Sequence, residues 1–244
     1  MTKKHIHWLL PGHYNDFKLL ERSSLASIRL RSFVSSLNNN FYTFSFGESM
    51  PLKTNILVIG KIGSFDINKR GLNWLNQIKM AYYSNCKIIL DYTDNHIMIN
   101  SSMTSFYKST LIFITYAVTP SEQMSQILSN FWKGPIYTIQ DAIDINIIKW
   151  TDFENKNLLW FGHNTNMPFL LNFLRDHHTK LSDYSLKIIT NQYGIDYFSA
   201  HNNYNIKVNT SLWSLDTFVK EASSCDICII PSDKSNLQKK RSRS

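Results

Sequence analysis

The feature that most constrains this chain is an alternation. Short apolar runs rich in β-branched residues give way, through polar turns, to segments whose apolar residues recur every three or four positions. The runs HIHWLLP (5–11), FYTFSF (41–46), NILVIG (55–60), KIILDY (87–92), STLIFITYA (109–117) and PIYTI (135–139) read as strands buried on both faces. Between them, 24–37, 71–84 and 121–132 carry helical spacing and read as crossover helices. The third has its own start signal, with Pro120 and Ser121 at the helix mouth and Glu122 in the first turn. Strands that alternate with helices form a parallel sheet covered on both faces, and right-handed crossovers make it doubly wound.

After a polar stretch at 151–157 the pattern restarts, with NLLWFG (157–162), a helix from about Met167 to His177, YSLKIIT (184–190), NIKVNT (205–210), a helix over 214–224 and DICIIP (226–231). The expected fold is α/β, with two Rossmann-like doubly wound domains over 1–150 and 157–244. DICIIP reads as an interior strand, and no covering helix follows it, so the second domain is expected to be incomplete.

Composition bounds the function. Hydrophobic residues make up 43% of the 244 and charged residues 18%, which excludes a disordered solvating chain. A net charge of +8 suits acidic partners: a phosphorylated small molecule, an anionic membrane surface or nucleic acid. Lys239, Lys240, Arg241 and Arg243 supply half of that charge, and this tail has no aromatic residues to stack on bases, so a nucleic-acid partner is not expected. Cys86, Cys225 and Cys228 are an odd number, which argues against a disulfide framework and fits a reducing, cytoplasmic setting. The start has no signal-peptide pattern, and no run is long enough to span a bilayer.

The candidate metal motifs are weak. Cys225 and Cys228 lie three apart on a strand and so point to opposite faces. His5 and His7 share a face, but no third ligand accompanies them, so no metal is expected. Two loops past strands are more informative. Gly162, His163, Asn164 and Asn166 lead from a buried strand into a helix, where parallel sheets bind phosphates; an ordinary helix cap is the other reading. Asp91, Asp94, Asn95 and His96 follow another strand, where an Asp and a His can serve acid and base chemistry or simply cap a loop. Arg29 and Arg31 on the first crossover helix face either solvent or an anion.

The segments TPSEQMSQIL, GPIYTIQDAID, LLWFGHNTN and FVKEASSCDICIIPSD, in that order, resemble glycosyltransferases of the GT-B fold, in particular the group 1 nucleotide-sugar enzymes. The resemblance implies transfer of a sugar from a nucleotide-diphosphate donor to a glycan or other acceptor, in a cleft between two domains. It implies no cofactor beyond the donor itself. By this resemblance Gly162, His163, Asn164 and Asn166 face the donor diphosphate, and Ser232, Lys234 and Ser235 open a second donor loop. Asp94 and His96 are the catalytic candidates, and Ser24 and Arg29 lie on the acceptor side. The glutamate pair of the retaining enzymes has no counterpart, so the alternative is a truncated, non-catalytic relative that binds a glycan or a partner.

Overall fold

The computed structural model describes residues 3–12, 31–32, 40–62, 67–98, 101–141 and 156–231. They belong to two compact units, one within 1–144 and one within 145–236.

The first unit contains β1 (Lys4–Leu9), β2 (Tyr42–Gly47), β3 (Ile56–Ile59), α1 (Ile67–Tyr83), β4 (Lys87–Asp91), α2 (Thr104–Thr110), β5 (Tyr116–Thr119), α3 (Glu122–Ser129) and β6 (Ile136–Thr138). The strands form one parallel sheet in the order β2-β1-β3-β4-β5-β6. Alternate residues of the central strands feed opposite faces. Leu9, Leu57, Ile59 and Leu90 pack with Trp74 and Ile78 of α1 and with Met124 and Leu128 of α3. Trp8, Leu10 and Val58 form a separate cluster with Phe44 and Phe46. The expected start of α3 is present, since the Ser121 hydroxyl accepts from the Met124 amide and Glu122 lies in the first turn.

Two expectations for this unit change. The run 109–117 is not one strand: Thr104–Thr110 is helical, and pairing with β4 begins only at Tyr116. Leu111 and Ile114 are buried against the helical layer, so this apolar run serves a helix end before it serves the sheet. The expected helix over 24–37 lies outside the described residues apart from Arg31 and Ser32. Arg31 faces anions, but they are the protein's own carboxylates.

His5 and His7 do share a face, beside β2. His7 Nε2 lies 3.2 Å from the Gly47 carbonyl, which can only accept, so in the neutral ring Nδ1 is the acceptor. Ser45 Oγ, 2.7 Å away, therefore donates to His7 Nδ1. His5 Nε2 then donates to Ser45 at 2.8 Å, and His5 Nδ1 accepts from Thr43 Oγ1 at 2.9 Å. Burial lowers the His7 pKa to about 4, which keeps the ring neutral in this chain of bonds.

The second unit contains β7 (Asn157–Phe161), a 3-10 turn (Asn164–Asn166), α4 (Met167–His177), β8 (Ser185–Thr190), α5 (Gln192–His201), β9 (Lys207–Leu212), α6 (Leu215–Ala222) and β10 (Ile227–Cys228). Its parallel sheet has the order β10-β7-β8-β9. Leu158, Trp160, Leu186 and Ile188 pack against Leu170, Leu174 and Phe198. Helix α5 was not anticipated from the sequence. In DICIIP, among the described residues, Ile227 and Cys228 form the strand, both are exposed, and it pairs on one side only, with β7.

Candidate functional site

In each unit the chain leaves its first strand toward one side of the sheet and later returns to pair on the other side. Such a reversal opens a crevice at the carboxyl ends of the strands on either side of it, where open α/β sheets bind ligands. In the first unit the reversal lies between β1 and β3. Both strands end in glycine turns. A Cβ on Gly60 would lie 2.5 Å from Leu10 Cδ2 and 3.0 Å from the Leu9 carbonyl, so the two chains touch there because Gly60 has no side chain. Gly12 adopts φ 109°, and its amide donates to Glu48 Oε1 at 2.8 Å.

Lys61 follows Gly60, and its ammonium pairs with Asp94 Oδ2 at 2.6 Å, each side chain about a third exposed. Asp94 also accepts at its backbone carbonyl from the His96 amide, 3.0 Å away, closing a tight turn past β4. His96 is only 7% exposed, and its ring stacks on that of Tyr107, centroids 5.3 Å apart. Among the described residues neither ring nitrogen of His96 has a hydrogen-bond partner, and the buried amide nitrogen of Asn95 has none either. Three unsatisfied polar atoms beside an exposed ion pair are costly unless a ligand or solvent completes them. Burial lowers the His96 pKa; Asp94 opposes that shift and Lys61 adds to it, so the ring is neutral at neutral pH and able to take a proton.

Asp91, at the end of β4, has a different task. Arg31 Nε donates to it at 2.6 Å, while Arg31 Nη1 donates to Asp141 Oδ1 at 2.9 Å and to the Ile139 carbonyl at 3.0 Å. Burial pushes the Asp91 carboxyl up to about 6, against the pull of the guanidinium. This pair ties the end of β4 to the segment that follows β6.

In the second unit the reversal lies between β7 and β10. Gly162 donates to the Ile189 carbonyl at 3.1 Å, and His163 Nδ1 accepts from the Thr165 amide and hydroxyl. The Asn164 side-chain oxygen accepts from Asn191 Nδ2 at 3.0 Å. Asn191 Oδ1 in turn accepts from the Gly194 amide and caps α5. The loops after β7 and β8 are thus joined by two asparagines, and the buried Thr190 hydroxyl beside them has no partner among the described residues. Asn166 Nδ2 lies 3.6 Å from where a Gly162 Cβ would stand.

The structure therefore brings Asp94 and His96 together and gathers Gly162, His163, Asn164 and Asn166 into one loop. Ser24, Arg29, Ser232, Lys234 and Ser235 lie outside the described residues. Sequence reasoning missed Lys61 and Asn191. Lys61 directly follows the apolar run NILVIG and could have been read as a strand-end charge. Asn191, three residues before Gly194, is a recognisable cap. Among the described residues no group of three His, Cys, Asp or Glu side chains is placed to hold a metal ion, and no helix is long and apolar enough to cross a membrane.

No protein-family model matches the chain, and no curated protein matches it in sequence. Solved structures do match. An alpha-glucosyltransferase in complex with UDP and a 13-mer DNA containing a HMU base superposes with a TM-score of 0.56 at 10% identity, over 91% of this chain and 70% of that one. The alpha-glucosyltransferase solved with UDP-glucose and DNA containing an abasic site gives 0.55 at 10% identity, over 93% and 72%. Against TarM the TM-score is 0.48 at 12% identity, and the chain spans about a third, 34%, of that protein's length. With the two parallel sheets, the two alpha-glucosyltransferase superpositions show that the chain has the GT-B fold.

Proposed function

We propose that this chain is a glycosyltransferase-like protein that transfers a sugar from a nucleotide-diphosphate donor to an acceptor hydroxyl. The observation that carries the reading is His96: a neutral, buried imidazole with neither nitrogen satisfied among the described residues, at the carboxyl edge of a sheet and beside the Lys61–Asp94 pair. Support comes from the fold, which matches across both units a protein solved with UDP. In this reading residues 1–150 form the acceptor side, with Ser24 and Arg29 near the acceptor, and 157–244 form the donor side. Backbone amides and asparagines of Gly162–Asn166, with Ser232, Lys234 and Ser235, would meet the donor diphosphate.

Transfer breaks the bond between the anomeric carbon and the diphosphate oxygen and forms one to the acceptor oxygen. The nucleoside diphosphate departs with the electron pair. In an inverting course His96 takes the acceptor proton, with Asp94 stabilising the imidazolium; in a retaining course the departing phosphate oxygen takes it. Calorimetric titration with UDP and GDP sugars tests donor binding, and absence of heat with all of them at millimolar concentration defeats the reading. Transfer is then assayed on glycans and on DNA carrying a HMU base, the acceptor class seen with the matched glucosyltransferase. In the inverting course His96→Ala is expected to keep the heat of donor binding and lose transfer, whereas retention of transfer by this variant identifies the retaining course. Glycan binding without donor binding or transfer would instead identify a non-catalytic module.

A further inference from the structure

In a parallel sheet all strands begin at one edge, and the first unit sorts its surface accordingly. Exposed lysines stand at the strand starts: Lys4 opens β1, Lys53 comes just before β3, Lys87 opens β4 and Lys133 comes just before β6. Every carboxylate among the unit's described residues instead ends or follows a strand: Glu48, Asp91, Asp94, Glu122 and Asp141. Helix dipoles account for part of this sorting, because the crossover helices run back and end with their negative poles near the strand starts.

They do not account for the apolar side chains at the same edge. Leu52 is 93% exposed, Phe41 80%, Tyr83 79% and Ile112 74%, each in the segment that leads into a strand. Tyr82 bridges two of these segments, with its ring 5.6 Å from Tyr83 and 5.5 Å from Phe113. Single exposed apolar residues need no explanation, but a row of them along one edge that carries no carboxylate among the described residues does.

We propose that this strand-start edge docks on an anionic membrane surface, with the lysines against lipid headgroups and Leu52, Ile112 and the tyrosines entering the interface. The side chains favour lipid over nucleic acid. Leucine and isoleucine tips insert among acyl chains and have no base-stacking face, and tyrosine belongs at the headgroup level. The cations are lysines, whereas Arg31 and Arg70 pair with carboxylates at the opposite edge. Docked in this way, the Lys61–Asp94–His96 crevice at the far ends of the strands stays clear of lipid.

Flotation of the full chain tests this with vesicles of phosphatidylcholine alone and of phosphatidylcholine mixed with phosphatidylglycerol. The chain is expected to float only with the mixed vesicles. The variant Lys53→Gln/Lys87→Gln/Lys133→Gln should lose affinity by roughly fivefold for each lysine removed. Leu52→Ser/Ile112→Ser should also dissociate, and both variants should keep the wild-type melting temperature. If either melts early, the single changes Lys53→Gln and Ile112→Ser carry the same test. Deleting residues 239–244 should leave the lysine-dependent part of the binding intact. The proposal is overturned if neither vesicle is bound, if binding disappears with that deletion alone, or if the edge variants weaken only single-stranded DNA binding or self-association.

Discussion

At the scale of the residue, two buried polar sites, His7 and the Arg31–Asp91 pair, set measurable behaviour. The folded His7 titrates near 4 against 6.5 when unfolded, so between those values the unfolded chain binds more protons. Stability from this site is complete above pH 6.5 and is lost as pH falls toward 4, by up to about 3 kcal/mol. Urea unfolding at neutral pH and near pH 5 should show that loss in the wild type, and a shallower one in His7→Gln. Arg31 and Asp91 are nearly excluded from solvent, with side chains 6% and 4% exposed. Removing one partner strands the other charge, so Asp91→Leu or Arg31→Met alone should cost about 3–5 kcal/mol in denaturant unfolding. The double change should recover much of it, because two apolar chains leave no buried charge.

At the scale of the element, Gly194 in the first turn of α5 is constrained by β8. A Cβ there would lie 2.4 Å from Thr190 Oγ1 and 2.7 Å from Thr190 Cγ2. Gly194→Ala should therefore destabilise by about 1–3 kcal/mol despite its better helix propensity, and adding Thr190→Ala should relieve the loss; thermal unfolding of the three variants decides it. This contact also explains what the sequence could and could not convey. NILVIG and KIILDY were legible because a strand buried on both faces needs an unbroken apolar run. Helix α5 was hidden because only Gly194 and Phe198 are buried in QYGIDYFSAH, too few to mark a periodic stripe. The run 109–117 misled because its apolar residues serve a helix end and a strand in turn. DICIIP reads as interior because apolar composition reports a tendency to be covered, and among the described residues β7 covers one side of it. Asp94 and His96 could be found as polar residues past a strand, but the Lys61–Asp94 pair joins the loops that follow two different strands and leaves no local trace.

At the scale of the whole molecule, a donor that binds only the folded chain must stabilise it by mass action. UDP at about a hundred times its dissociation constant should add about 2.7 kcal/mol, visible as a raised melting temperature, and His96→Ala should show the same rise. The strand orders carry a further consequence, for how the chain folds. In the first unit β1 pairs with β2 and β3, so Trp8, Leu9 and Leu10 find their neighbours only once residues 42–47 and 56–59 have been made. In the second, β7 waits longer for one partner: Asp226 Oδ2 accepts from the Asn157 amide across 69 positions. Each unit thus begins with a central strand that cannot be completed locally, a non-local arrangement that slows folding. Those first strands stay uncompleted longest, so on dilution from denaturant the folded yield should fall as protein concentration rises.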